Sequence, residues 1–409
     1  MLLILVPVLA GCAGRPAHHR CEGEARTDWI RDNSMVLETT DPHAGLEDLE
    51  PLRRLVGDAD IVALGEGTHG TREFFLLKHR IVRFLAEEMG FTLFAIEANM
   101  PECRRVGEVV NGGDGDPVKR LGGLLCWPWY TEEVLDLVLW MRDFNASGRG
   151  RMDFTGFDLQ FPWLAMAQVV RFLECHDPDG ALVVKEAYEA AKRAARGGAD
   201  PAVATRRGAE VLALLEERAG AYRGRVPPGE VALALQNARL VHQCYRRKSG
   251  GGHRDLSMAE NVRWLLEQTA PGARIVIWAH NGHVNREEWA MGGALNDWYG
   301  RRMVVIGFCC AEGEYSAAVE RTIGVHPLAA PPPGSVEAQL SDTGHPLLLL
   351  DLRQASADSP ASAWLTRRPF MRSIGAVVQD EQFFRMPLAG SYDLLVFVER
   401  TTPTHVLPQ

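Results

Sequence analysis

Five side chains fit for acid–base chemistry stand at the ends of three short apolar runs. Ile61-Val-Ala-Leu-Gly-Glu66-Gly-Thr-His69-Gly70 offers a carboxylate and an imidazole. Phe91-Thr-Leu-Phe-Ala-Ile-Glu97 offers a second carboxylate, and Arg274-Ile-Val-Ile-Trp-Ala-His280-Asn-Gly-His283 two more imidazoles. A histidine on a glycine-flanked turn can be reached by substrate and water, and a nearby carboxylate fixes its tautomer and raises its basicity. His69 is therefore the candidate general base, with Glu66 or Glu97 orienting it. His280 or His283 supplies a second proton carrier or polarises a carbonyl oxygen, since two imidazoles in different environments can divide acid and base roles. Arg72, which opens the next helical stretch, and Asp158, at the end of Phe154-Thr-Gly-Phe-Asp158-Leu-Gln160, are candidate substrate contacts. His79, His176, His242 and His253 read as structural, hydrogen-bonded histidines.

Other chemistries compete for the same residues. Gly65-Glu-Gly67-Thr-His-Gly70 matches the G-x-G-x-x-G dinucleotide fingerprint in its strand-to-helix context, with Glu97 placed as a ribose-binding acid. Glu66 between the first two glycines would repel a pyrophosphate, so nucleotide or other ligand binding without catalysis is the minor reading. Glu66, His69, Glu97, His280 and His283 are all competent N/O ligands, so a metal-dependent hydrolase is a second alternative. Neither a G-x-S-x-G elbow, a Walker A loop nor H-E-x-x-H occurs, which disfavours serine hydrolases, P-loop NTPases and zincins. No metal or cofactor is expected.

The elements that must position these residues are strands and helices in alternation. The runs at 61 and 274 are short, β-branched and bounded by glycine, as buried parallel strands are, and the apolar run at 91 puts a carboxylate at its own end. In open α/β sheets the ligand crevice lies along the carboxyl edge, so strands sharing one sheet would bring the five side chains together. Arg72 to Met89 and Thr131 to Phe144 have helical periodicity, and further strands are predicted at 303–309 and 347–352, with apolar runs near 374–378 and 394–398. Residues 165–270 are rich in Ala, Leu, Glu and Arg, broken at Gly197-Gly198, Pro227-Pro228 and Gly250-Gly251-Gly252, and predict a helical insertion. The expected fold is α/β: a largely parallel sheet flanked by helices, with core segments 31–164 and 271–409 and an inserted helical subdomain over 165–270. Apolar residues of that insertion are expected to line a cleft suited to a bulky ester.

Composition agrees with a globular chain: 46% of the 409 residues are apolar and 24% charged. A net charge of -9 leaves no electrostatic footprint for nucleic acid. Residues 1–11, Met1-Leu-Leu-Ile-Leu-Val-Pro-Val-Leu9-Ala-Gly, are apolar but too short to span a bilayer, and they run into Cys12 as a lipoprotein-type signal would. Lipidation at Cys12 would tether the domain through residues 12–30 to a membrane at the cell envelope. If the start is misassigned, the chain is cytoplasmic. No C-x-x-C pair occurs among the cysteines, so no zinc ribbon is expected.

Taken in order, several blocks resemble the erythromycin esterase family. They are Leu64-Gly-Glu66-Gly-Thr-His69-Gly-Thr-Arg-Glu73, Lys78-His-Arg80, Ile96-Glu97, Trp127-Pro-Trp129-Tyr-Thr-Glu-Glu133, Trp140-Met-Arg142-Asp-Phe-Asn145, Gly156-Phe-Asp158-Leu-Gln160, Trp278-Ala-His280-Asn-Gly-His283 and Met291-Gly-Gly-Ala-Leu-Asn-Asp297-Trp-Tyr299-Gly300. The resemblance implies hydrolysis of a macrolide lactone by water activated at a histidine, with neither a required metal nor a covalent acyl-enzyme. By position it implies that His69 is the base, Glu66 and Glu97 its acidic support, and His280/His283 the second histidine site. Lys78 falls on a basic active-site position, assigned here to substrate binding, where the family would carry arginine.

Overall fold

A mixed sheet of nine strands organises the computed structural model, which describes residues 17–196, 201–248, 253–320 and 322–408. The strands are β1 (Ser34–Val36), β2 (Ile61–Leu64), β3 (Leu93–Asn99), β4 (Asp153–Asp158), β5 (Ile275–Trp278), β6 (Met303–Val319), β7 (Thr322–Pro327), β8 (Leu347–Asp351), β9 (Phe370–Arg372), β10 (Phe383–Arg385) and β11 (Leu394–Thr401). Their order is β1-β8-β11-β6-β2-β5-β3-β4, with β7 paired to β6 and a separate β9–β10 ribbon. From β11 to β4 all neighbours are parallel, whereas β8 and β1 add an antiparallel edge. The expected α/β class and largely parallel sheet are both present.

Every residue of β2, β3 and β5 is buried, as in sheets covered by helices on both faces. Ile61, Ala63, Ile275 and Ile277 enter one core, and the alternating Val62, Leu64, Val276 and Trp278 enter the other. Burying a Val, Leu or Ile contributes about 1.5–3 kcal/mol, so these four-residue strands are held by packing on both sides. The helices Arg72–Met89, Met100–Val110 and Glu132–Ala146 cover the second face. The first face carries five successive helices between Trp163 and Gln268, together with Met291–Tyr299.

The chain passes from β2 to β3 and leaves a slot between them. It fills that slot with β5 only after the helical excursion. The carboxyl ends of β2, β5, β3 and β4 therefore lie side by side although they come from sequence positions more than 200 residues apart. The β3–β4 register slips between Ile96 and Asn99. Such an irregularity re-aims a side chain, and here it falls on Glu97.

One detail differs from the sequence-based expectation. Part of the expected tether over 12–30 is helical: Ala17–Asp32 forms a helix, with Ile30 buried in the core and Arg31 bonded to the Thr343 carbonyl. The signal segment 1–11, Cys12 and the glycine breaks at 197–198 and 250–252 lie outside the described residues. The apolar run 374–378 is a strap with no strand of its own. It touches β6 through the Ala318–Val377 bridge and reaches into the site through Ile374. Among the described residues no helix is long and apolar enough to cross a membrane.

Candidate active site

Glu66 leaves β2 fully buried and uses both carboxylate oxygens. Its Oε1 lies 2.6 Å from His69 Nδ1, and its Oε2 accepts from Trp278 Nε1 at 2.7 Å and from the Lys78 ammonium. With Nδ1 donating to Glu66, the remaining nitrogen of His69, Nε2, carries the lone pair. No described group bonds it, and the His69 side chain is 11% exposed. The ring stands edge-on to Trp129 at 5.9 Å and 5.1 Å from His280.

Lys78 points inward from the helix Arg72–Met89 and is fully buried, with its Nζ 4.4 Å from the Trp278 ring centre and on Glu66. Burial pushes its pKa down to about 8 against the pull of Glu66. Burial also acts to raise Glu66, but Lys78 and His69 outweigh it and hold the carboxyl below its usual range. Lys78 thus serves the carboxylate that serves His69, and its placement does not match the expected substrate contact. Arg72, also expected to contact substrate, pairs its Nε with Glu133 at 3.2 Å and keeps 39% side-chain exposure.

Glu97 binds the neighbouring strand ends together. Its Oε2 accepts the His280 backbone N–H at 3.0 Å, and its Oε1 lies 2.8 Å from Arg254 Nη2 and 3.3 Å from His283 Nε2. Burial raises its pKa, but His283 and Arg254 overcome this and hold it well below the carboxylate range. Asp158, at the end of β4, is wholly buried. It takes Arg254 Nε at 3.1 Å and Nη2 at 2.7 Å and also accepts from Gln160 Nε2. It anchors Arg254 and has no exposure to substrate.

The two imidazoles of the 280–283 turn are in different environments, which shift their pKa values in opposite directions. His280 caps the short helix Asn281–Val284: its Nδ1 accepts from Gly282 N at 3.0 Å, and its Nε2–H donates to the Ile374 carbonyl at 3.1 Å. Both nitrogens are therefore spent on a neutral ring. Burial, then the proximity of His69 and His283, pushes its pKa down to about 3. His283 Nδ1 lies 2.7 Å from Asp255, and its Nε2 faces Glu97. Burial opposes its charge, but Glu97 and Asp255 outweigh burial and raise its pKa to about 10. Arg254 Nη1 approaches His283 Nε2 at 3.1 Å. Arg254 Nη1–H can donate to Nε2 only while that nitrogen is unprotonated, so charging His283 requires Nε2–H to turn to Glu97 Oε1, 3.3 Å away, in place of the Arg254 bond.

Arg254 and Asp255 were not singled out from the sequence. They open the helix His253–Gln268, so the helical stretch contributes a charged pair to the site where apolar walls were expected. The available signal was His253-Arg-Asp immediately after a glycine run, an acid–base triplet at a helix start. Asn281 was also passed over: its side chain bonds both the N–H and the carbonyl of Phe308 and locks the β5 turn to β6. The strap is fixed by Arg372, fully buried against the carbonyls of Cys310, Ala311 and Ala329, and by Ile374 N on the Gly67 carbonyl.

The glycines of the fingerprint face protein. A Cβ on Gly65 would meet Asn281 Oδ1 at 2.2 Å and one on Gly70 would meet the Ser316 carbonyl at 1.8 Å, so neither leaves space for a pyrophosphate. Both oxygens of Glu66 and of Glu97 are engaged by protein cations and donors. Among the described residues no group of three His, Cys, Asp or Glu is placed to hold a metal ion.

Residues 86–401 match the family model described as erythromycin esterase. Erythromycin esterase type II of Escherichia coli is 24% identical over 93% of this chain and 99% of its own length. A putative hydrolase of Bacillus subtilis is 22% identical over 93% of this chain and 92% of its own. Among solved structures, a Bacillus cereus protein superimposes with a TM-score of 0.83 at 25% identity, covering 94% of this chain and 99% of the other. An erythromycin esterase mutant in its open conformation shares the fold with a TM-score of 0.71 at 16% identity, covering 90% and 98%. With more than three quarters of its length inside the family model, the chain belongs to the erythromycin esterase family.

Proposed function

We propose that this protein hydrolyses a carboxylic ester or lactone with water activated by His69. The observation that carries the reading is the Glu66–His69 contact of 2.6 Å, which leaves Nε2 unbonded at the carboxyl edge of the sheet. Water bound at Nε2 attacks the carbonyl carbon while its proton passes to Nε2. The tetrahedral intermediate then collapses by breaking the bond to the alkoxy oxygen, which leaves with the proton from Nε2. No covalent enzyme intermediate is needed. The buried Glu66 carboxylate beside Nδ1 stabilises the imidazolium that forms when Nε2 takes the proton. Arg254, which keeps 22% side-chain exposure, is the cation available to an oxyanion.

Macrolide lactones are the first substrates to test, because the relatives are named for erythromycin. Incubating the purified protein with macrolides and simple esters, with mass spectrometry for the gain of one water, tests the reading; no hydrolysis of any ester would overturn it. A cell-envelope location through lipidated Cys12 is a separate proposal from the sequence. It is tested by fractionating cells that express the chain or its Cys12→Ala variant.

A further inference from the structure

Beside the catalytic cluster lies a cavity of 550 Å³ walled by Leu125, Cys126, Trp127, Tyr130, Ile323 and Val406, with Glu320 at its rim. Two segments form its walls, and each continues into the site. The first, Leu125–Tyr130, runs on through Trp129, whose indole N–H donates to the Glu97 carbonyl at 2.9 Å and whose ring meets His69. The second is the β6–β7 hairpin. Ala318 accepts from Val378 and donates to Ala376, which ties the hairpin to the strap whose Ile374 carbonyl holds His280. Cys126, Trp127 and Tyr130 of the cavity wall thus belong to the same short segment as Trp129, which carries the contacts to His69 and Glu97.

Leu125 gives a second, independent reason to look here. It is a leucine in the left-handed region, φ 57°, and it is 63% exposed. A bulky residue at positive φ is strained and persists where surroundings fix it, commonly at ligand-binding places. Its N–H bonds the Gly122 carbonyl and ends the helix Pro117–Gly122, but its side chain, exposed on the cavity wall, gains no burial within the fold. Covering it with hydrocarbon would supply that burial.

We infer that this cavity is the subsite for the hydrocarbon arm of the ester, and that it sets a preference for medium-length aliphatic chains. The inference deepens the hydrolase reading and rests on it for its kinetic arm alone. Glu320 at the rim disfavours an anionic tail, so the arm is neutral.

The test uses the 4-nitrophenyl esters of acetate, butyrate, hexanoate and octanoate, together with calorimetric titration of non-hydrolysable octanamide. For the wild type kcat/KM should rise about three- to four-fold per methylene, the equivalent of about 0.8 kcal/mol of burial. Ile323→Trp, which fills the cavity, and Leu125→Ser, which removes the exposed wall, should flatten that rise while leaving acetate turnover unchanged. Both should also weaken octanamide binding at least ten-fold. Turnover of acetate with no dependence on chain length, or a dependence unaltered in both variants, overturns the subsite and leaves the hydrolase standing. Absence of all ester turnover alongside saturable octanamide binding that both variants lose has the opposite meaning: the cavity stands and the hydrolase falls.

Discussion

Glu66 Oε1 and His69 Nδ1 are 2.6 Å apart, while the other oxygen of Glu66 is held by Lys78 and Trp278. The carboxylate cannot rotate away without breaking two further bonds in a buried environment, so the tautomer of His69 is set before substrate arrives.

Removing the imidazole should therefore remove most of the chemistry and little of the fold. His69→Ala is expected to lower kcat about 10²–10⁴-fold, with an unchanged circular dichroism spectrum. Glu66→Gln keeps the shape but weakens the bond that fixes the tautomer, and should lower kcat by a smaller factor. A His69→Ala enzyme turning over at the wild-type rate would exclude His69 as the base.

Lys78 is expected to matter for stability first. Breaking a buried ion pair by deleting one partner costs about 3–5 kcal/mol, because the other charge stays buried alone. Lys78→Met should show that loss in urea denaturation, and Glu66→Gln combined with Lys78→Met should recover a large part of it. Equal stability of the single and double variants would mean that the pair is not coupled as the geometry indicates.

Much of this site was legible because its strands are so regular. Ile61–Leu64, Leu93–Ile96 and Ile275–Trp278 are apolar on both faces, which announces parallel strands, and the carboxyl-edge rule then gathers Glu66, Glu97 and His280. The direction of individual side chains was harder to read. Lys78 and Arg72 share one helix, yet Lys78 has Phe74, Phe75, Ile81 and Val82 at three and four positions on either side, all buried. That neighbourhood puts it in the middle of the apolar stripe, a signal present in the sequence. For Arg254 the sequence offered only the charged triplet at a helix start and nothing of its partners, Glu97 and Asp158, which are 157 and 96 residues away. Their pairing is fixed only when the helices pack on the sheet.

Arg254→Met should disclose that long-range role. It leaves Asp158 buried without its cation and frees Glu97 and His283 from their common partner. The expected result is a fall in kcat greater than any rise in KM, with a smaller loss for Arg254→Lys, whose point charge cannot span both carboxylates. A change in KM alone would show that Arg254 acts on substrate binding instead of holding the cluster.

Chelation distinguishes the water-activating imidazole from a metal centre. Every oxygen of Glu66 and Glu97 already has a protein partner, so a divalent ion would have to displace Lys78 or Arg254. Dialysis against a chelator should leave kcat/KM unchanged, with metal content measured on the same sample. Activity that vanished and returned with zinc, manganese or cobalt would turn the glutamates into ligands.

The two histidines of the 280–283 turn should shift stability with pH in opposite senses. His283 is raised to about 10 when folded, against about 6.5 in the unfolded chain. The native state then binds its proton more tightly, so its contribution is full below about pH 6.5 and is lost as pH climbs towards 10. His280 is lowered to about 3. Below about pH 6.5 the unfolded chain takes up a proton that the native ring refuses, so stability drains away as pH falls towards 3. Urea denaturation of the wild type, His283→Gln and His280→Gln across pH 4–10 separates the two. The penalty of His283→Gln should shrink as pH rises above 6.5, and that of His280→Gln should shrink as pH falls below it. A penalty for His280→Gln that grew on acidification would mean that His280 is charged in the native state. Its Nε2 bond to the Ile374 carbonyl and its Nδ1 bond from Gly282 could not both then survive, because a protonated Nδ1 cannot accept.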